Sequence, residues 1–375
     1  MAISNLIHNF LGFCNAFQDD FNVVEVDTEY ILRAQELKNG KHTWIGTRNM
    51  IIYYRNTSSS WVLCNHFSGE CYANYKTNHN IPVGRHSWKL TSQYNCKHQQ
   101  ERKHFDVLLS SCKDDEFTCN DGTCIDIEKK CDLVNNCLDD SDEEFCNILS
   151  TNYFKKSYEN WMPDIKISED DNILASPINI SIGLLGITKI KEMQMSCAIK
   201  FNLSLTWLDS RLRWMNLLNN TWFNILNTTE ISKIWIPNLV FKNTADELKT
   251  IADNNSIILV KKHGSHRKEN LDFFETAYFE GSENPIIFSK NYNQDFICNF
   301  DLHKYPFDIQ TCLIVIGTTD KDKFFMELFP ENLEYFGQKD MLTYTVKEYK
   351  MKKSDGYVSV EVTLKRLGKD SKIQN

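Results

Sequence analysis

From Ile178 to Leu184 apolar residues take every second position, Ile178, Ile180, Ile182 and Leu184 alternating with Asn179, Ser181 and Gly183. The pattern returns where Ile199, Phe201, Leu203, Leu205 and Trp207 alternate with Lys200, Asn202, Ser204 and Thr206, and again at Val358, Val360, Val362 and Leu364. A period of two sends successive side chains to opposite faces of an extended chain, so each run predicts a strand with one buried and one wet face. Repeated from about Ser150 onward, such strands predict a mainly β protein built on an antiparallel β-sandwich. Asn179 and Asn202 fall on the polar face, whereas Cys197 falls on the apolar one and is expected to be a buried free thiol.

Upstream, residues 1–111 carry shorter alternating stretches, MIIYYR and SWVL among them, with Trp44, Trp61 and Trp88. They predict a small β-rich module. A tryptophan-rich β surface can bind a carbohydrate or a partner, but core packing is the expected role of these rings.

At 375 residues the chain exceeds one small core and predicts two or three domains. Thirteen cysteines in a chain that is 42% hydrophobic imply disulfide staples and an extracellular or lumenal compartment. Sequons at Asn56, Asn179, Asn202, Asn219, Asn227 and Asn254 agree with that compartment. Met1 to Gln18 makes a poor signal peptide, with a weakly apolar core, no basic n-region and only Asn15-Ala16 as a cleavage region. No run of about eighteen apolar residues occurs, so the chain as given does not span a bilayer by a helix. The net charge of -8 and the lack of a basic patch with interleaved aromatics argue against nucleic acid as a partner.

Six of the thirteen cysteines fall between Cys112 and Cys146, in a stretch with too few large apolar residues to fold on a hydrophobic core alone. Its acids cluster late, at Asp132, Asp139, Asp140, Asp142, Glu143 and Glu144. By charge alone that cluster suits either a hard cation such as calcium or an acidic solvated loop. Six cysteines allow fifteen pairings. Phe117 and Ile125 flank the second and third cysteines, and Cys131-Asp132, Asn136-Cys137, Asp139-Asp140-Ser141-Asp142-Glu143 and Cys146 follow in order. This closely resembles a low-density-lipoprotein-receptor class A module, predicted over 112–147. The resemblance implies Cys112 with Cys124, Cys119 with Cys137, and Cys131 with Cys146. It also implies calcium as a cofactor, ligated by side chains of Asp132, Asn136, Asp142 and Glu143 and by carbonyls of Lys129 and Val134. The family normally has Asp where Asn136 stands, which implies weaker calcium affinity. The pattern from Trp61 through Pro82-Val83-Gly84-Arg85-His86 and Trp88 to Cys96 loosely resembles β modules that precede class A modules elsewhere. The connectivity of Cys14, Cys64, Cys71 and Cys96 does not follow from their positions.

Further along, Cys298 and Cys312 fence off thirteen residues that include Tyr305-Pro306-Phe307-Asp308. A disulfide there would close a loop of about fifteen residues, worth roughly 3 kcal/mol on the chain-entropy model. Stability explains the cysteines but not an apolar tip with an acid beside it. A cis peptide is affordable before proline and would define the tip's shape. By itself the segment suits an ordinary packed hairpin or a tip that presses on something.

Taken with Trp207-Leu208-Asp209-Ser210-Arg211-Leu212-Arg213-Trp214, Ile234-Trp235-Ile236-Pro237-Asn238, and the loop's Pro306, Phe307, Asp308 and Gln310, the whole arrangement resembles the extracellular ligand-binding domain of the Cys-loop receptors, the pentameric neurotransmitter-gated ion channels. The likeness runs from about Trp161 to Arg366, with the domain predicted over 155–367. It implies that Trp207 fills the sandwich core, that Asp209 and Arg211 pair near a turn, and that Trp235 and Pro237 are structural. It implies that Tyr305, Pro306, Phe307 and Asp308 couple ligand binding to the pore. The ligand site transfers badly. An aromatic box for a cationic amine has a clear cation-π rationale. The expected aromatic before Trp207 is Asn202, the expected tryptophan after Cys312 is Thr319, and the aromatic expected near Leu248 and Lys249 is missing. Tyr349 and Tyr357 remain in the hairpin before the last strand, without an adjacent cysteine pair, so an acetylcholine-like box is not expected.

The resemblance implies a pentamer, homomeric or heteromeric, on the extracellular face of the plasma membrane, with a small-molecule ligand between subunits. After Leu364-Lys365-Arg366 the family enters its first membrane helix, whereas here LGKDSKIQN ends the chain, which is expected to be part of a longer one. One alternative is a secreted soluble ligand-binding protein with the same sandwich. Another makes the class A module a calcium-dependent receptor for a basic protein ligand. His263, His266 and His303 sit in polar or loop contexts with no nucleophile motif or metal spacing, so no enzyme is expected.

Overall fold

The computed structural model describes residues 32–36, 42–46, 50–65, 67–77, 82–91, 104–110, 112–113, 115–150, 159–167, 173–244, 248–268 and 275–367. Met1 to Gln18, Cys14 and Cys96 therefore lie outside the described residues. The chain divides into two units, one of Met1–Asn147 with His266–Tyr278, the other of Ile148–Ser265 with Phe279–Asn375.

The first unit opens with a seven-stranded antiparallel meander: β1 (Leu32–Glu36), β2 (His42–Gly46), β3 (Met50–Arg55), β4 (Ser60–Asn65), β5 (Cys71–Lys76), β6 (Gly84–Leu90) and β7 (His104–Leu109). Alternation puts Ile52, Trp61, Leu63, Ala73, Trp88, Val107 and Leu109 into one core, with Tyr54, Tyr72 and Tyr75 packed against it. Register supports this, since Ile52 lies opposite Leu63, Tyr54 opposite Trp61 and Leu63 opposite Ala73. Trp61 and Trp88 are thus core residues, not a binding surface. Cys64 pairs with Cys71.

The six-cysteine segment follows as a hairpin of β8 (Glu116–Thr118) and β9 (Cys124–Asp126), then 3-10 turns at Ile127–Lys129 and Ser141–Glu143. Its apolar core is little more than Phe117 and Ile127. The disulfides Cys112–Cys124, Cys119–Cys137 and Cys131–Cys146 supply the rest. Meander and hairpin meet where Gly84, at φ 104, lies against the backbone of Asn120, and Arg85 N donates to Asn120 O at 3.1 Å. The buried Glu275 carboxylate accepts from Arg85 Nη2 (2.7 Å), Thr118 N (2.7 Å) and Thr118 Oγ1 (3.0 Å). A buried carboxylate needs such donors, and here three come from two elements of the unit.

The remaining strands are β10 (Lys166–Ile167), β11 (Ile173–Leu174), β12 (Ser176–Lys191), β13 (Ser196–Trp207), β14 (Arg213–Met215), β15 (Leu239–Phe241), β16 (Leu248–Lys249) and β17 (Ser256–Val260). They continue as β18 (Arg267–Lys268), β19 (Ala277–Glu280), β20 (Ile286–Ile297), β21 (Ile309–Thr318), β22 (Met326–Tyr335), β23 (Tyr344–Ser354) and β24 (Tyr357–Arg366). In the second unit one sheet runs β17-β20-β13-β12-β22 and the other β16-β15-β21-β24-β23. Pairing is antiparallel except between β12 and β22.

The period-two runs supply the facing layers of this β-sandwich. Ile180 lies opposite Leu205, Ile182 opposite Leu203 and Leu184 opposite Phe201 in one sheet. Cys312 lies opposite Val362, Ile314 opposite Val360 and Ile316 opposite Val358 in the other. Rings bridge the sheets, with Phe201 of β13 and Tyr292 of β20 at 5.7 and 5.1 Å from Phe241 of β15, centroid to centroid. Cys197 is free and buried, and burial, helped by Asp295, pushes its thiol up to about 12. A short helix, α1 (Thr228–Ile231), is held by a capping box in which Asn227 and Glu230 exchange backbone donors. Glu230 also accepts from Ile148 N and Leu149 N, at 2.7 and 2.9 Å.

Candidate functional site

At one end of the sandwich the turn between β12 and β13, the Cys298–Cys312 loop and the end of β24 meet. The disulfide closes the loop, and Cys298 N donates to Met195 O of the turn at 2.8 Å. Gln310, buried, clamps the loop from inside by accepting from Asp301 N (2.8 Å) and donating to Asp301 O (2.7 Å). The Tyr305–Pro306 peptide is cis. The tip is open to solvent, Phe307 being 79% and Tyr305 64% exposed, while Asp308 beside it is 1% exposed. Met193 in the facing turn is fully exposed.

Asp308 is buried because Arg366 answers its charge. Arg366 Nε donates to Asp308 Oδ1 at 2.6 Å and Nη2 to Oδ2 at 3.1 Å, the two-pronged geometry that suits a guanidinium. Arg366 Nη1 reaches Glu192 Oε1 at 2.9 Å, and Tyr344 Oη donates to the same oxygen at 3.0 Å. The guanidinium also lies over the rings of Tyr305 and Tyr344, at 4.8 and 4.5 Å. The Arg366 hydrogen bonds hold the Asp308 carboxyl below the usual carboxylate range, against the opposing effect of burial. Burial, with the bond to Glu192, pushes the Tyr344 hydroxyl up.

At the other end of β13, Trp207 is buried edge-to-face on Trp235, ring centres 6.1 Å apart. Asp209, also buried, takes Arg211 Nε at 2.8 Å and Nη2 at 2.7 Å, and Arg211 Nη2 donates further to Met162 O at 3.0 Å. The Pro237 carbonyl accepts from Thr250 Oγ1 (2.9 Å), which itself accepts from Leu239 N (2.8 Å). These contacts make the motif an anchor for the strand ends.

In the six-cysteine module the oxygens of Lys129, Asp132 and Val134 gather round one atom, Asn136 Nδ2, at 3.5, 3.1 and 2.7 Å. Asp142 is fully buried; its Oδ2 accepts from Asn136 N at 2.7 Å and its Oδ1 has no partner among the described residues. Glu143 Oε1 accepts from Leu133 N at 3.0 Å. Burial raises the Glu143 carboxyl, and the charges of Asp132 and Asp142 add to that effect. The carboxylates of Asp132, Asp142 and Glu143 and the carbonyls of Lys129 and Val134, with one carboxylate oxygen buried and unanswered among the described residues, are an oxygen set whose chemistry fits a hard cation.

Residues 148–372 match the neurotransmitter-gated ion-channel ligand binding domain. The chain belongs to that family. Residues 110–146 match the low-density lipoprotein receptor domain class A. The human gamma-aminobutyric acid receptor subunit gamma-3 is 22% identical over 41% of this chain and 28% of its own length. The gamma-aminobutyric acid receptor subunit beta of Lymnaea stagnalis is 24% identical over 48% of this chain and 33% of its own. The vitellogenin receptor of Solenopsis invicta is 46% identical over 46 residues, 12% of this chain and 3% of its own length. The chain thus spans a third or less of these curated relatives. The family is not an enzyme class. Among the described residues no helix is long and apolar enough to cross a membrane.

In this ligand-binding domain the four candidate ligand residues do not form one cluster. Asn202 stands on β13, its amide donating to Ser289 Oγ and Asn291 Oδ1, each at 3.0 Å. Thr319 follows β21 and its hydroxyl donates to Asp322. Tyr357 lies opposite Gly317 near the same end of β21. Tyr349 is stacked on Tyr335, 5.7 Å between ring centres. None of the four lines either of two surface cavities, of about 680 and 780 Å3. The first is lined by Asp164, Trp207, Lys261, His263 and Glu283, the second by Leu185, Lys200, Met341 and Leu342. Glu192 and Tyr344 escaped the sequence reading because an acid in a turn and a tyrosine at a strand start carry no local signal.

Proposed function

We propose that the chain is the ligand-binding region of a ligand-gated ion-channel subunit on the extracellular face of the plasma membrane, assembled as a homomeric or heteromeric ring of five. Family membership and the gamma-aminobutyric acid receptor names of its relatives support this. The observation that carries it is the Asp308–Arg366–Glu192 network. One guanidinium ties the exposed Tyr305-Pro306-Phe307 tip, the β12–β13 turn and the last strand together, so a displacement of β24 reaches both exposed tips through Arg366. Tyr305, Phe307 and Met193 would then press on pore helices supplied beyond residue 367, and Asp308 would transmit the strain.

The ligand is a small molecule bound between neighbouring subunits. Thr319 and Tyr357 sit at one end of β21, and Asn202 lies on β13 of the other sheet, so they would meet only across a subunit contact, with Tyr349 as a supporting ring. Recognition would rest on hydroxyl and amide hydrogen bonds in place of a cation-π box. Residues 1–111, 112–147 and 155–367 are taken as the accessory β module, the class A module and the ligand-binding domain. In the class A module Lys129, Asp132, Val134, Asn136, Asp142 and Glu143 would hold calcium.

The test is the native product. An antibody to this region should detect a detergent-extracted membrane band well above 43.9 kDa that cross-links to a five-fold ladder. Its transcript should continue past Arg366 into apolar helices. A soluble band near 43.9 kDa, allowing for glycans, would remove conduction and leave a secreted ligand-binding protein.

A further inference from the structure

We propose that Asn179 carries an N-linked glycan whose first sugars, N-acetylglucosamine residues, lie in the cavity that Asn179 and Ser181 themselves line. The proposal rests on the extracellular reading above and adds a site to it.

Three observations carry it. First, Asn179, Ile180 and Ser181 form an acceptor sequence on β12, where Ile178 and Ile180 are buried and Asn179 and Ser181 turn to the polar face. Among the described residues Asn179 Nδ2 donates to no acceptor, so the atom that would bear the sugar is uncommitted. Asn202, the sequon asparagine on the same face of β13, spends both Nδ2 hydrogens on Ser289 Oγ and Asn291 Oδ1, each at 3.0 Å.

Second, the cavity begins at the sequon. Both Asn179 and Ser181 line it, and its volume of about 680 Å3 falls within the roughly 300–1,000 Å3 that accommodates a small-molecule ligand. Two linked N-acetylglucosamine residues are of that size. Third, its lining has the chemistry that a sugar needs. Asn179 lies opposite Thr206 of β13, and Thr206 opposite Ile287 of β20, so an amide, a hydroxyl and an apolar side chain follow in a row across three strands. Ser282 and Lys261 add donors, and Glu331, which accepts from Ser181 Oγ at 3.1 Å, adds a carboxylate. Rings that bear hydroxyls, an apolar face and an acetamide group match such a mixture of donors, acceptors and apolar surface. Leu174 and Leu208 of the lining are 50% and 47% exposed, which leaves the outer sugars a path to water.

The bond is made by transfer from a lipid-linked diphosphate sugar. Asn179 Nδ2 attacks the first sugar's C1, the bond from C1 to the diphosphate oxygen breaks, and the electron pair leaves on the diphosphate. One Nδ2 proton passes to a base of the transferring enzyme. Folding then decides where the sugars lie. At Asn179 they meet a cavity beside the linkage, whereas a sugar on Asn202 would cost one of its two amide hydrogen bonds.

The experiment directs the full chain into the secretory pathway of mammalian cells and follows peptide 167–189 by mass spectrometry. Peptide N-glycosidase F in heavy-oxygen water marks each released site as labelled aspartate. Most of the secreted chain should carry a glycan at Asn179. Folded wild type should release it at least about tenfold more slowly than folded Ser282→Trp, as expected when one or two net hydrogen bonds hold the sugars in place. After denaturation the two should release it alike. Ser282 is exposed in a turn, so the larger side chain fills the cavity without touching the sequon. A bare Asn179 in a chain glycosylated elsewhere overturns the site and leaves the extracellular reading standing. No glycan at any sequon overturns both. Equal release from folded wild type and S282W places the sugars outside the cavity and overturns their seating. If S282W is not secreted, the glycan of Asn56, exposed in the turn between β3 and β4, serves as the fast standard.

Discussion

Replacing Arg366 by glutamine strands Asp308. The carboxylate is 1% exposed and the arginine side chain 8%, so water cannot take over the lost partner, and screening is weak. Gln310 would still donate to Asp308, which answers one oxygen but not the charge. Removing one member of such a buried pair costs about 3–5 kcal/mol. Glu192 is a third exposed and contributes less. Taking the lower end, about 3 kcal/mol, and about 2–4 °C per kcal/mol for a domain of this size, the sandwich transition should fall by roughly 6–12 °C. Scanning calorimetry of the full chain at neutral pH reads it directly.

Acid provides the internal control. The bond to Arg366 depresses the folded-state pKa of Asp308. A depressed carboxylate contributes stability that is complete above its ordinary value of about 4 and is lost as pH falls through the folded value. The gap between wild type and R366Q should therefore be full at pH 7 and shrink below about pH 4. Asp308→Asn with Arg366→Gln should cost less than the sum of the two single changes, because no charge is left buried alone. A shift under about 2 °C for R366Q, or a gap that stays constant into acid, would refute the reasoning.

Three further outcomes are expected. Gly84→Ala should cost the first unit about 3 kcal/mol or more, since a Cβ there would meet Asn120 O at 2.0 Å and φ is 104; unchanged secretion and unfolding would count against that close approach. Glu275→Gln should speed exchange at the Thr118 amide and cost about 2–4 kcal/mol, because an amide cannot accept from Arg85 Nη2 and Thr118 at both of its terminal atoms. The Cys197 peptide should stay unmodified by iodoacetamide at pH 8 in the folded protein and label fully in denaturant, because a buried thiol pushed up to about 12 offers almost no thiolate; labelling of the native chain would show that the sandwich opens there.

Local pattern was enough to decide which side chains go inside. The alternation from Ile178 to Leu184 and from Ile199 to Trp207 names the buried face of each strand, because one residue of slip would turn the whole set to water. Cysteine spacing identified the class A module, and the motifs around Trp207, Trp235 and Cys298 pointed to the ligand-binding family. Beyond that, the outcome depended on partners distant in sequence. Asp308 looked like an acid beside an exposed tip; only the fold brings Arg366, 58 residues away, to neutralise it, with Glu192 from another turn behind it. Glu275 carried no signal at all, yet its burial against Arg85 and Thr118 requires contacts across some 157 to 190 positions. Asn136 stood out in the sequence as one missing charge, whereas the convergence of the Lys129, Asp132 and Val134 oxygens on its amide exists only once the disulfides have folded the loop round it. Periodicity is a property of neighbours along the chain and can be read there. Charge neutralisation and ligand convergence belong to groups that meet only after folding, so the tertiary structure alone decides them.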